Sequence, residues 1–253
     1  MRKFAFSFIL TSLALLQGSP LRADDPPPLR VMTDYWPPFR MEGENGRITG
    51  LDMDLLAELQ RRTGLRFEVQ RAPWARGLAA LEGGTADLMT GLARTPERER
   101  YIDYLAQPYY ACAPRLYASP ETAPRIRRYA DLKGPTIGFV LESAYFEPFD
   151  SDRNLVKFGV NNEVQLLQML ALGRLQVVIG SDCQVDYALR DPHLAGRIQR
   201  TVYQPDARTD LYIGFSRQRP LTAERQRIAK ALEQMQAEGW VQRAAARYQP
   251  PWE

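Results

Sequence analysis

Histidine is almost absent from this chain: His193 is the only one in 253 residues. A histidine-rich metal centre is therefore excluded, and a histidine-based acid–base pair has nothing to draw on but a surface-loop residue in Asp191-Pro192-His193. Cysteine is nearly as scarce. Cys112 and Cys183 stand far apart, without the C-x-x-C or cysteine–histidine spacing of a metal or redox motif. No glycine-rich phosphate loop, no dinucleotide glycine pattern and no serine-nucleophile elbow occurs, which argues against kinase, dehydrogenase and hydrolase chemistry. No cofactor or metal is expected. Long apolar runs are missing too. The strongest, FAFSFILTSLALL after Met1-Arg2-Lys3, is about a dozen residues, too short to span a bilayer comfortably.

What that run does fit is a secretory signal: a basic start, an apolar stretch and the small-residue ending QGSPLRA. Residues 1–23 are expected to be removed after Ala23 as the protein is secreted. No cysteine follows the run to take a lipid anchor. The formal charge of +3 belongs to Arg2, Lys3 and Arg22 of that segment, which holds no acidic residue. The remainder is balanced, which disfavours nucleic acid or an anionic membrane as partner.

The remaining chain alternates strand and helix signals. Leu29 to Thr33 predicts a first strand, and the prolines of Asp34-Tyr35-Trp36-Pro37-Pro38-Phe39 forbid helix in the loop that follows. EGENGRITG predicts a hairpin turning at Asn45-Gly46. An amphipathic helix opens at Leu51 and stops at Thr63-Gly64, and Leu65 to Gln70 is a second strand, which is βαβ order with a parallel sheet. Pro73-Trp74-Ala75-Arg76 leads into the next helix. Ala111 to Tyr117 and Thr136 to Val140 are further strands, Glu142-Ser143 a helix start, and Leu221 to Gly239 a long helix. A weak internal repeat, LAALEGGTADLMTG at 78–91 against LQMLALGRLQVVIG at 167–180, suggests two similar lobes.

The most informative stretch is Asp87 to Tyr110. Leu88-Met89-Thr90-Gly91-Leu92 reads as a buried strand whose carboxyl end reaches a cleft. Thr95-Pro96-Glu97-Arg98 then reads as a helix start, with Thr95 as N-cap and Pro96 at the first position. An arginine fork beside free amides suits a carboxylate. With Pro108-Tyr109-Tyr110 closing the stretch, these residues resemble the extracellular solute-binding proteins of family 3, the periplasmic amino-acid-binding type. The resemblance extends to Pro38-Phe39, to Gly46-Arg47-Ile48-Thr49-Gly50-Leu51-Asp52-Met53-Asp54-Leu55 and to Gly239 with Tyr248.

That resemblance implies the periplasm as the destination and an α/β fold of the type II periplasmic binding kind. Two lobes, each with a mostly parallel central sheet flanked by helices, are joined by two crossing strands. Residues 28–115 and 211–253 would form the first lobe and 116–210 the second. It also implies site roles. Arg98 takes a ligand carboxylate; the plainer alternative is an ion pair with Glu97 or Glu99. Trp36 and Trp74 wall the ligand side chain, or else pack as core. Arg76 faces the cleft or the surface. Thr90 and the Ala93 backbone meet the ligand, and Ser143 donates to an anion. In the second lobe the family places an aspartate for an α-ammonium. Here the gapless match gives Ser181, with Asp182 one position later, and Asp182 is the expected contact. Cys112 and Cys183 either form a disulfide, as an oxidising compartment favours, or remain buried thiols.

The expected function is capture of an amino acid or related carboxylate by a monomer that delivers it to the membrane permease of an ABC-type importer. The same fold also serves two alternatives: a dehydratase-like enzyme using Glu142 as general acid, and a soluble partner of a sensory receptor.

Overall fold

The computed structural model describes residues 26–248; the expected signal segment lies outside them. Strand β1 (Leu29–Thr33) buries Leu29, Val31 and Thr33 on one side, the period of two that its sequence shows. The loop that follows leads into a short hairpin, β2 (Met41–Glu42) and β3 (Ile48–Thr49). Asn45 (φ 58°) and Gly46 (φ 72°) take its left-handed positions. Helix α1 (Leu51–Thr63) buries Leu51, Leu55, Leu56 and Leu59 and stops at Gly64, which is left-handed at φ 68°. Its return strand β4 (Phe67–Arg71) runs parallel to β1. Helix α2 (Trp74–Glu82) then feeds β5 (Leu88–Leu92), also parallel to β1.

The segment after β5 departs from expectation. Instead of a helix, Thr95-Pro96-Glu97-Arg98 leads into a single 3-10 turn, Arg98–Arg100, and then strand β6 (Ile102–Tyr104). Ile102 and Tyr104 alternate as buried residues, and their pairing with the return strand wins over helix propagation. The Thr95 hydroxyl accepts from the Arg98 amide at 3.2 Å, as a capping side chain would, but the turn that forms starts after Glu97 rather than at Pro96.

The chain leaves this sheet through β7 (Tyr110–Cys112) and enters a second one at β8 (Pro114–Ala118). Sequence reasoning merged these two strands; the break falls at Ala113-Pro114, where proline has no N–H for a ladder. The second sheet adds β9 (Ile137–Val140), β10 (Lys157–Val160), helix α3 (Glu163–Ala171), β11 (Val177–Ser181), helix α4 (Asp182–Ala188) and β12 (Gln199–Arg200). Its order is β10-β9-β11-β8-β12. The expected helix at Glu142-Ser143 is a loop, held by Tyr145 N donating to Asp150 and Ser143 N donating to the Val140 carbonyl. The chain returns along β13 (Thr209–Ser216), which completes the first sheet in the order β4-β1-β5-β13-β6 and also pairs β7. Helices α5 (Thr222–Ala237) and α6 (Trp240–Ala246) close the described chain, bent apart at left-handed Gly239.

Both sheets are mixed. The βαβ strands are parallel, while β13 in the first sheet and β8 in the second run antiparallel to their neighbours because they carry the chain between lobes. Each sheet is covered on both faces. In the first, α1 and α5 bring Leu55, Leu59, Ile228 and Leu232 to one side, while α2 brings Leu78 and Leu81 to the other. In the second, Leu132, Phe149 and Leu155 pack one side, and Leu166, Leu170 and Val185 the other. The repeat is real in three dimensions: α2–β5 and α3–β11 are equivalent helix–strand units, and each delivers its strand end to the space between the lobes.

Candidate functional site

A cleft of about 110 Å3 lies between the sheets. The first lobe contributes Asp34, Tyr35, Trp36, Arg40, Trp74, Gly91, Ala93 and Arg98, and the crossing strands Cys112, Pro114, Thr209 and Leu211. The second lobe contributes Val140, Ser143, Ala144, Tyr145, Asn161, Asn162, Glu163, Ser181 and Gln184.

Arg98 is the principal cation. It is 7% exposed, and no carboxylate among the described residues pairs with it. Its Nη1 donates to the Ala93 carbonyl at 3.0 Å, and its Nη2 donates across the cleft to the carbonyl of Glu142. The Trp74 indole donates to that same carbonyl at 3.1 Å, and the Arg98 guanidinium lies 5.9 Å from the Trp74 ring centroid. A buried guanidinium without a counter-ion is unfavourable unless a ligand supplies one. Of the two alternatives at this residue, the ion pair goes elsewhere: Glu99 takes Arg94, and Glu97 takes Arg100.

The aromatic walls are built from below. Trp36 stacks on Phe39 at 4.4 Å between centroids, and the Arg40 guanidinium covers its ring at 5.2 Å. Arg40 is in turn fixed by an ion pair with fully buried Asp52. Thr90 Oγ1 and the Tyr109 hydroxyl each donate to that carboxylate at 2.7 Å. Gly91, at φ 73°, leaves room for Arg40, since a Cβ there would lie 2.6 Å from its Nη1. Trp74 is set by Asp34, whose Oδ2 accepts from the Trp74 amide at 3.1 Å, capping α2.

Three expected contacts lie elsewhere. Arg76 is exposed on α2 and does not line the cleft; two residues turn a helix by about 200°, so it points away from Trp74. Thr90 is buried under the cleft floor, its hydroxyl committed to Asp52. Asp182 lies behind the crossing strands. Its Oδ1 accepts from Ala113 N at 2.8 Å and Cys183 N at 2.7 Å. It lines a separate cavity of about 440 Å3 beside Tyr187 and Tyr248. Ser181, the last residue of β11, takes the cleft side, while Asp182, the first residue of α4, lies on the other. Glu142, the general acid of the enzyme alternative, is exposed and offers the cleft its carbonyl rather than its carboxyl. Trp36, Trp74, Ala93, Arg98 and Ser143 are brought together as cleft residues.

The cysteines are joined: Cys112 and Cys183 form a disulfide with 5.7 Å between Cα atoms. It ties β7 to the start of α4, between the cleft and the rear cavity.

Sequence reasoning missed Glu163. It opens α3 behind the N-cap Asn162, whose side chain accepts from the Gln165 amide at 2.9 Å. Its side chain is turned inward over Gly180, where a Cβ would meet Glu163 Oε1 at 2.3 Å. Burial pushes its carboxyl up to about 8. An acid in a first helical turn is ordinarily a solvated dipole partner, and the only hint was the glycine closing the second repeat.

This arrangement, two α/β lobes joined by two antiparallel crossings over a polar, aromatic-walled cleft, defines the periplasmic-binding-protein fold. An ancestral arginine-binding protein solved with arginine superposes with a TM-score of 0.77 at 22% identity, covering 88% of this chain and 98% of that one. A histidine kinase sensor domain similar to periplasmic binding proteins gives 0.78 at 18%, covering 87% and 95%. The family model for bacterial extracellular solute-binding proteins, family 3, matches residues 29–251, and the chain belongs to that family. Among curated relatives, the arginine-binding extracellular protein ArtP of Bacillus subtilis is 32% identical over 111 residues, 44% of this chain and 42% of ArtP. The L-cystine-binding protein TcyJ of Escherichia coli K12 is 25% identical over 113 residues, again 44% and 42%. The chain thus spans less than half the length of these relatives. No helix among the described residues is long and apolar enough to cross a membrane.

Proposed function

We propose that this protein captures an amino acid or related carboxylate between two closing lobes and presents the closed form to the permease of an ABC-type importer. In this reading it acts as a monomer in the periplasm after loss of its signal segment. Residues 28–115 with 211–253 move as one lobe and 116–210 as the other. The observation that carries the reading is Arg98: a buried, unpaired guanidinium in a cleft that both lobes line. A ligand carboxylate supplies the missing charge, Trp36 and Trp74 cover its side chain, and the Ser143 hydroxyl is within the same cleft to donate. Family membership and the ligands named for ArtP and TcyJ support an amino acid. Closure conveys occupancy because the ligand binds one lobe arrangement better than the other.

The test is mass spectrometry of small molecules released from protein purified without refolding, followed by titration of the identified compound. A carboxylate bound in near-stoichiometric amount is the expected result. Turnover of that compound to product would instead support an enzyme.

A further inference from the structure

Resting on the amino-acid reading, the second lobe adds a feature of its own. Three buried polar atoms there have no hydrogen-bond partner: Glu163 Oε1, Ser181 Oγ and Gln184 Oε1. All three residues line the cleft opposite Arg98. Ser181 precedes α4 and Gln184 lies one turn into it, so they share a face, while Glu163 reaches over the adjoining Gly180. Folding desolvates these groups without a partner from the described residues, and an occupant of the cleft can supply one. Two are acceptors, and the third is a hydroxyl free to accept. The matching occupant is rich in donors and positively charged. A primary ammonium, with three N–H donors and no acceptor, fits this set.

We propose that Glu163, with Ser181 and Gln184, is the receptor for the ammonium group of an α-amino acid whose carboxylate is held by Arg98. Glu163 thereby supplies, from the start of α3, the negative charge that neither Ser181 nor the rearward Asp182 brings to the cleft.

The charged and titratable surroundings leave that role to Glu163. On α4, Asp182 is bound to the Ala113 and Cys183 amides, and Asp186 pairs with Arg200. On β8, Arg115 turns to the Pro114 and Pro205 carbonyls. On β10, Lys157 donates to the carbonyls of Phe149 and Asp150. The loop after β9 brings Glu142, Asp150 and Tyr145; the Tyr145 phenol is pushed up by burial first and then by Glu163. Across the cleft, Arg40 is paired with Asp52, Asp34 caps α2, and Arg98 remains. No cation pairs with Glu163 among the described residues.

A coupling follows. Burial holds the Glu163 carboxyl at about 8 in the empty cleft, so near neutrality it keeps its proton. Pairing with an ammonium requires the carboxylate, and that proton passes to bulk solvent. Affinity should therefore rise about fiftyfold between roughly pH 6 and pH 8.

The experiment titrates the parent, Glu163→Gln and Arg98→Ala with the twenty protein amino acids, and with the des-amino analogues of arginine, histidine and glutamine. It uses two buffers of different ionisation enthalpy to count protons. Glutamine is isosteric with the protonated acid, and a melting temperature no lower than the parent's certifies the fold. The expected parent binds an amino acid at least about thirtyfold more tightly than its des-amino partner and releases close to one proton on binding it. Glu163→Gln should lose that discrimination, the proton release and the pH dependence together. A Glu163→Gln protein that still discriminates overturns the proposal while leaving the carboxylate reading intact. A parent that binds both members of a pair equally, with Arg98→Ala binding neither, overturns the proposal alone. A parent that binds no amino acid removes the reading and the proposal with it.

Discussion

The carbonyl of Glu142 accepts a hydrogen bond from the Arg98 guanidinium, so that one lobe's backbone rests on the other lobe's buried cation. Trp74 donates to the same oxygen. Glu142 adopts φ 59°, a left-handed conformation that a non-glycine residue takes at some cost. That strain aims the carbonyl into the cleft and leaves the carboxylate outside. The contact bridges the two sides of the cleft at Arg98 and engages only part of its fork; a guanidinium has five donors, and a carboxylate needs two.

Trp74→Phe should loosen closure without dismantling the cleft. It removes one cross-lobe hydrogen bond worth about 1 kcal/mol and keeps the aromatic wall. Small-angle scattering should show the empty variant more extended than the empty parent, with saturating ligand compacting both. Identical scattering of the two empty proteins would mean that the indole contact does not bias closure.

The Cys112–Cys183 bond spans 71 residues of sequence. A cross-link of that span stabilises by about 4 kcal/mol through the unfolded chain. The double variant Cys112→Ser, Cys183→Ser should unfold at clearly lower denaturant. Its ligand affinity should change little, because the bond holds the crossing strand to α4 rather than supplying a polar contact. An unchanged midpoint would show that the bond is not formed in solution.

Glu163 gives stability a pH dependence of definite sign. Its carboxyl sits at about 8 when folded, against an ordinary value of 4.5. Below the ordinary value both folded and unfolded chains hold the proton, and the group contributes nothing to the difference. As pH rises from there to about 8, the unfolded chain ionises first, and the folded state loses up to a few kcal/mol. Glu163→Gln removes this loss. The empty variant should therefore melt above the parent near about pH 9 and close to it near about pH 4. A difference of the same size at both pH values would place the effect elsewhere.

The sequence carried its repetitive physics well and its local choices less well. The stop of α1 at Gly64 and the hairpin at Asn45-Gly46 were legible because left-handed positions select few residues. Arg98 was legible because a cap, a proline and an arginine stand together, although the helix they announce gives way to β6. Asp182, expected at the cleft, opens α4 one residue beyond the end of β11 and lines the rear cavity, so a single step across the strand–helix boundary changes the side it serves. Glu163 was barely legible, since its one hint was the glycine that closes the second repeat. Whether an acid at a helix start meets water or turns inward depends on the partner surface, and Gly180, which admits it, lies on a different element.

Arg98 tests the account most directly. Titration of Arg98→Ala with the compound released from the native parent should show affinity reduced by about thirtyfold or more. The truncation leaves a desolvated ligand carboxylate without its partner, a loss of about 2–5 kcal/mol, while circular dichroism should remain that of the parent. A folded Arg98→Ala protein that binds the compound as tightly as the parent would contradict the account.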